Sequence, residues 1–270
     1  MYLRTIKILA CSMIAFCVFS TAQAIDARGQ SYHDQRQRPA PRPRPAEPPQ
    51  ADEPGQEPFK LDRGGKVSIT NHSGEVTITG WDRDTIEVTA RVEERPDPVR
   101  IRVRGDSRSA IISVPAEVRR FGGEVYLGVK LPRYAEIESA ETHNGDLSVT
   151  DIEGAVYVSA AHGDVLANRI GSLRVETRNG DVNVRGVKNS LVVRSLNGDV
   201  DTADIGGSVE IAATSGDINI QNVGANVRAT SASGDIQVAC AKNRVEVNTA
   251  SGSLALSGIG GDVEGTTASG

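Results

Sequence analysis

The chain has 270 residues, 38% of them hydrophobic but only 4% aromatic, with 28 glycines and 2 methionines. Its net charge of −5 leaves no basic footprint for nucleic acid, and so few aromatics exclude an ordinary thick core in favour of a thin one lined by Val, Ile, Leu and Ala. Of its 3 cysteines, Cys11 and Cys17 fall in the first 24 residues and only Cys240 lies beyond them, so no internal disulfide is expected.

Residues 1–24 read as a secretory signal. Arg4 and Lys7 form a basic start, Ile8 to Phe19 is mostly apolar, and Ala22-Gln23-Ala24 precedes a cut expected before Ile25. The apolar run falls short of the about 20 residues of a membrane-spanning helix, and no later stretch approaches that length, so no integral membrane anchor is expected. Phe16 before Cys17 is too large for lipoprotein cleavage, and the apolar run before Cys11 is too short, which argues against acylation. The expected location is the periplasm, the cell surface or the extracellular space.

Residues 25–58 form a Pro-rich linker. Pro39, Pro41, Pro43, Pro45, Pro48, Pro49, Pro54 and Pro58 fix φ and remove donors, which favours extended polyproline II over a packed element. Arg36, Arg38, Arg42 and Arg44 make its first half basic, and Glu47, Asp52, Glu53 and Glu57 its second half acidic. The plain reading is a disordered spacer; the sharper one lets the arginines touch an anionic envelope polymer or lipid headgroups.

Residues 59–141 form an N-terminal β region. Val67-Ser68-Ile69 and Val76-Thr77-Ile78 flank a turn at His72-Ser73-Gly74, and Ile86 to Val92 follows the Gly80-Trp81-Asp82 turn. Val99 to Val103, Ile111 to Val114 and Val125 to Leu131 continue the two-residue alternation of strands. Pro132 is expected to end a strand or sit on an edge. No helix is expected after the signal.

Residues 142–270 repeat. Gly145, Gly163, Gly180, Gly198, Gly216, Gly234, Gly252 and Gly270 recur at steps of 18, 17, 18, 18, 18, 18 and 18 residues. A fixed period of this kind is the signature of a solenoid. Six of these glycines are followed by aspartate: Asp146, Asp164, Asp181, Asp199, Asp217 and Asp235. Leu147, Val165, Val182, Val200, Ile218, Ile236 and Leu254 align in one inward column, and Ile152, Ile170, Val187, Ile205, Val223, Ala241 and Ile259 in another. Second-strand columns begin Val156/Val158, Leu173/Val175, Leu191/Val193 and Val209/Ile211. The single 17-residue step keeps every column in register if the missing residue falls at the bend near Gly171. The expected fold is all-β: a parallel β-helix-like solenoid of about 18 residues per coil, preceded by a β-strand region continuous with it. The last repeat stops at Gly270, which predicts either a fragment or a strand edge that meets another chain.

The Asp column invites a calcium reading. Calcium-binding β-rolls, however, use Gly-Gly-x-Gly-x-Asp in nine-residue units, and here there is one Gly-Asp per 18 residues, with Ser253 replacing it late. Turn aspartates that accept backbone N–H bonds are the simpler reading. His143 and His162, one coil apart beside Asp146 and Asp164, are a candidate metal cluster, but the spacing follows from the repeat, and solvated turns account for it. No metal, cofactor or catalytic residue is assigned. Cys240 occupies a bend where other coils carry Asp151, Asp204 or Asn222, and Trp81 is expected to pack over the end of the core.

Gly74-Glu75-Val76-Thr77-Ile78-Thr79-Gly80-Trp81-Asp82, then Val129-Lys130-Leu131-Pro132, then the reiterated Ser/Asn-Gly-Asp-Val/Ile turns resemble the bacterial putative-adhesin family of β-strand-repeat envelope proteins, a domain of unknown function. The resemblance covers residues 60 to 270. It implies a solenoid and an envelope location and brings no catalytic or ligand motif. The expected function is an exported, non-catalytic interaction scaffold for an unknown surface polymer or protein. The alternatives are a module that self-associates through open solenoid edges, and a polysaccharide-acting β-helix enzyme.

Overall fold

The computed structural model describes residues 59–92, 101, 103–114 and 123–270. The chain divides into two units, Met1–Glu53 and Pro54–Gly270, and every described residue belongs to the second. The expected signal and linker, and most of the strand expected at Val99–Val103, lie outside the described residues.

The described residues are all strand, turn and bend, with no helix among them. The repeat region begins with β8 (Glu136–Asn144), β9 (Leu147–His162) and β10 (Val165–Asn179), and continues as β11 (Val182–Val187), β12 (Leu191–Asn197), β13 (Val200–Ile205), β14 (Val209–Ser215), β15 (Ile218–Val223), β16 (Val227–Ser233), β17 (Ile236–Ala241), β18 (Val245–Ser251), β19 (Leu254–Ser257) and β20 (Val263–Ser269). Each strand pairs in parallel with the strand one coil away. Ile218 lies beside Val200 and Ile236, and Val227 beside Val209 and Val245. Each coil therefore contributes one strand to each of two facing parallel sheets. The long β9 and β10 serve both: their first halves continue into β11, their second halves into β12.

The expected columns are the core. Leu147, Val165, Val182, Val200, Ile218 and Ile236 are each at most 1% exposed. The second column is equally dry from Ile152 to Ala241, while Leu254 and Ile259 in the last coil are half-buried. Each such side chain contributes on the order of 1.5–3 kcal/mol when fully buried. The missing residue of the short coil falls where the sequence places it: the β9–β10 register shifts between Ile170 and Ser172.

Each coil turns at two corners. At the first, between the strands of one coil, Asp151, Arg169, Asp204, Asn222 and Cys240 have φ of 55–63°, and Gly186 and Gly258 have 69° and 66° in the same column. Plain alternation would point Asp151 inward and Ile152 outward. One left-handed residue reverses the sense, so Val149 and Ile152 both reach the core. Asp, Asn and Gly tolerate this conformation; a thiol or a guanidinium side chain gives it no local support.

At the second corner sits the glycine column. Gly198 has φ of +124°, and a Cβ there would lie 2.2 Å from the Gly180 carbonyl oxygen of the preceding layer. Glycine is required twice over, by its backbone angle and by its neighbour. The same contact recurs from Gly145, whose would-be Cβ meets the oxygen of Gly74. The stack therefore includes the N-terminal region. There, β2 (Lys66–Ser73) and β3 (Val76–Trp81) form a layer whose Ser73 pairs with Asn144 and whose Val76 pairs with Leu147.

Beyond that layer lie β6 (Ser109–Ser113), parallel to β2, and β7 (Val125–Pro132), parallel to β3. The end is then closed by antiparallel strands: β5 (Val103–Asp106) on β6, β4 (Thr85–Val92) on β7, and β1 (Phe59–Lys60) on β4. Pro132 ends β7 beside Trp81. A layer that comes earlier in sequence is thus inserted between two later ones.

Two substitutions test the corners. Gly198→Ala should lower unfolding free energy by at least about 3 kcal/mol, from backbone strain plus overlap with Gly180, as read by chemical denaturation. Cys240→Asn should raise it by about 1 kcal/mol by relieving the left-handed corner, a rise of about 2–4 °C in thermal midpoint.

Candidate functional site

The Gly-Asp turn is the most conspicuous motif, and its aspartates are structural. The glycine N–H donates to the following layer, as Gly163 does to the Asn179 carbonyl, and so does the residue after the aspartate, as Val165 does to the Asp181 carbonyl. The aspartate N–H points the other way. Asp164 N–H donates to Asp146 Oδ1 (2.9 Å), Asp181 to Asp164 (2.8 Å), Asp199 to Asp181 (2.9 Å), Asp217 to Asp199 (2.8 Å), Asp235 to Asp217 (2.8 Å) and Ser253 to Asp235 (2.7 Å). Each carboxylate satisfies a donor of the next coil that would otherwise lack a protein partner. Glu75, after Gly74 in the first layer, instead accepts from Thr77 Oγ1.

The proposed His–Asp cluster divides into separate contacts. Asp146 and Asp164 each give Oδ1 to the ladder. His143 stacks on His72, ring centres 5.2 Å apart and planes within 3°, and His162 meets His143 edge-on at 5.9 Å. His162 Nδ1 lies 3.1 Å from Asn179 Nδ2, and Asn197 Nδ2 donates to Asn179 Oδ1. Among the described residues no group of three His, Cys, Asp or Glu side chains is placed to hold a metal ion. His72 is the member that the sequence reading omitted; its clue is the shared His-x-Gly spacing of His72/Gly74 and His143/Gly145.

Trp81 is half-buried and donates from Nε1 to the Thr85 carbonyl at 2.8 Å, with the Arg83 guanidinium 4.8 Å and Lys130 Nζ 5.5 Å from its ring centre. Cys240 is exposed, at the left-handed bend.

Among the described residues, two carboxyls are shifted, both downward. The Arg169 guanidinium holds Asp151 low through a forked contact at 2.5 and 2.8 Å. Arg174 (2.6 Å) and the Tyr157 hydroxyl (3.0 Å) do the same for Glu176. Both pairs stabilise the fold above the ordinary carboxylate range, and that contribution is lost as pH falls through the lowered values. Burial, reinforced by Glu176, raises the Tyr157 hydroxyl.

A groove of about 570 Å³ lies on the outer face of the sheet containing β2, β8, β9, β10 and β12. Ser159, Ala160 and Ala161 form its low floor. His72, Glu141 and His143 stand on one side, and Glu176, Arg178, Arg194 and Leu196 on the other. Alternation puts these residues outward except Ala160, which is buried and lends only its backbone to the floor; the groove itself arises because β9 carries small side chains between layers with large ones.

The sequence profile of the Toastrack DUF4097 family matches residues 65–266. The chain belongs to this family. Toastrack DUF4097 is a domain of unknown function, and the match begins at the β2 layer. Among solved structures, a putative adhesin from Bacteroides fragilis aligns over 77% of this chain and 93% of its own, at 14% identity and a TM-score of 0.39. No curated protein matches. Among the described residues of this Toastrack chain, no helix is long and apolar enough to cross a membrane.

The ladder gives a direct test. Asp181→Ala leaves the Asp199 N–H without its acceptor and should cost about 1–3 kcal/mol, whereas Asp181→Asn keeps an acceptor and most of the stability. Added calcium should shift neither melting curve; a calcium-dependent rise in the parent protein would make the column a cation site.

Proposed function

We propose that this Toastrack chain is an exported, non-catalytic scaffold of the cell envelope that holds a surface polymer or partner protein against the face of its solenoid. The groove across β2, β8, β9, β10 and β12 carries the reading. A parallel stack presents outward side chains at a fixed interlayer step of about 4.8 Å, a template suited to a partner with its own repeat. Glu176 in the groove wall is tied to Arg174 and the Tyr157 hydroxyl, which supports a held carboxylate over the proton donor that polysaccharide cleavage requires. Export is supported by Arg4 and Lys7, the apolar run and Ala22-Gln23-Ala24.

Two measurements test this reading. Mass spectrometry of the protein from its native host should find Ile25 as the first residue, in a fraction outside the cytoplasm; cytoplasmic protein that retains residues 1–24 would contradict export. The processed protein should bind washed cell envelopes saturably without releasing sugar fragments. Fragment release that scales with protein concentration would replace the scaffold with an enzyme.

A further inference from the structure

We propose that the groove binds an acidic glycan, a linear polysaccharide bearing carboxylates, through Arg178 and Arg194. This inference rests on the interaction reading above and names the chemistry of its ligand.

Charge points to an anionic ligand. Glu176 is held by Arg174 and the Tyr157 hydroxyl, with weaker attraction from Arg194 in the next layer, and Glu141 accepts from Ser139 Oγ at 2.7 Å. Arg178 and Arg194 are both exposed, and neither has a carboxylate within ion-pair distance among the described residues. Elsewhere on this sheet, Arg174 and Arg228 are paired, with Glu176 and Glu246. The two unpaired guanidiniums come from adjacent layers at the groove wall, on a protein whose net charge is −5. A guanidinium fork matches a carboxylate in two parallel hydrogen bonds.

The shape and exposure of the wall point to a sugar. Leu196 is 49% exposed beside the groove, and the stacked His72 and His143 rings stand opposite. These surfaces suit the apolar faces of sugar rings, and Ser159 and Glu141 suit their hydroxyls. Five strands at about 4.8 Å per step give a track of roughly 19 Å, enough for a few sugar residues.

The position of the groove favours a glycan over an acidic peptide. Peptides that use a β-sheet for recognition add to its edge, where backbone groups are free. This groove lies on a face, between strands whose backbones are already laddered to one another. A peptide lying there would gain no backbone partners, whereas a polymer read by its carboxylates and hydroxyls needs none.

The test is titration of the processed protein with polygalacturonate, with neutral dextran and polyglutamate as comparators, at low and at raised salt. Polygalacturonate should bind, dextran should not, and added salt should weaken binding through screening. The R178Q/R194Q protein should lose affinity about 10-fold or more with an unchanged melting curve, and Arg228→Gln on the same sheet should stay within about 2-fold. Unchanged affinity in R178Q/R194Q, equal binding of dextran, or a preference for polyglutamate would overturn the assignment. If envelopes still bind saturably while polygalacturonate does not, the glycan inference fails and the scaffold reading stands. If neither binds, both fall.

Discussion

The architecture depends on how each coil passes the Gly-Asp corner. The glycine backbone of one layer rests against the glycine carbonyl of the layer before, closer than any Cβ would permit, and the next residue turns its N–H backward. A reversed donor has no strand carbonyl waiting for it. The aspartate of the preceding layer supplies the acceptor, and its own N–H is served in the same way one layer further back. Register and corner geometry are therefore fixed together. One oxygen of each carboxylate is spent on that task, which gives the most repetitive motif in the sequence a structural role.

The opposite corner solves a different problem. A coil with two strands and a dry interior must bring inward residues to the end of the first strand without spending a full turn. A single left-handed residue does this, changing the inward spacing from two residues to three between Val149 and Ile152. With both corners this tight, the two sheets face each other across side chains no larger than Leu and Ile. Among the described residues, the buried hydrophobic set contains no Phe, Tyr or Trp, which gives the low aromatic content its structural cause.

Much of this was legible in the sequence, because a solenoid converts position in the repeat directly into position in space. The inward columns, the bend that absorbs the 17-residue step and the glycine corner follow from spacing alone. The first layer was hidden because 71 residues separate Gly74 from Gly145, and the excursion through β4 to β7 breaks the period. Ser73-Gly74-Glu75-Val76 nevertheless matches Asn144-Gly145-Asp146-Leu147 in type. The left-handed column was obscured by Arg169 and Cys240, which do not suit it. The aspartates were legible as acceptors of turn N–H groups, but the layer they serve is set by stacking. The groove was illegible, since it is a difference in side-chain height between neighbouring layers.

The division between corners and faces explains where function can vary. Corner positions answer to glycine contacts, left-handed angles and reversed donors, and inward positions to volume; outward positions answer only to alternation. The chain uses that freedom unevenly. Along the groove, two outward columns carry Glu176, Arg178, Arg194 and Leu196 in the earlier layers and Ala212, Thr230, Ala232 and Ala250 in the later ones, while the neighbouring column of Tyr157 and Arg174 is charged again at Glu210, Arg228 and Glu246. Stability makes no such demand, because Val193, Ile211 and Ala229 fill the interior of both halves equally well. Within those two columns, large and partly unpaired side chains give way to mostly small ones after β12, a local difference that packing of the interior does not require.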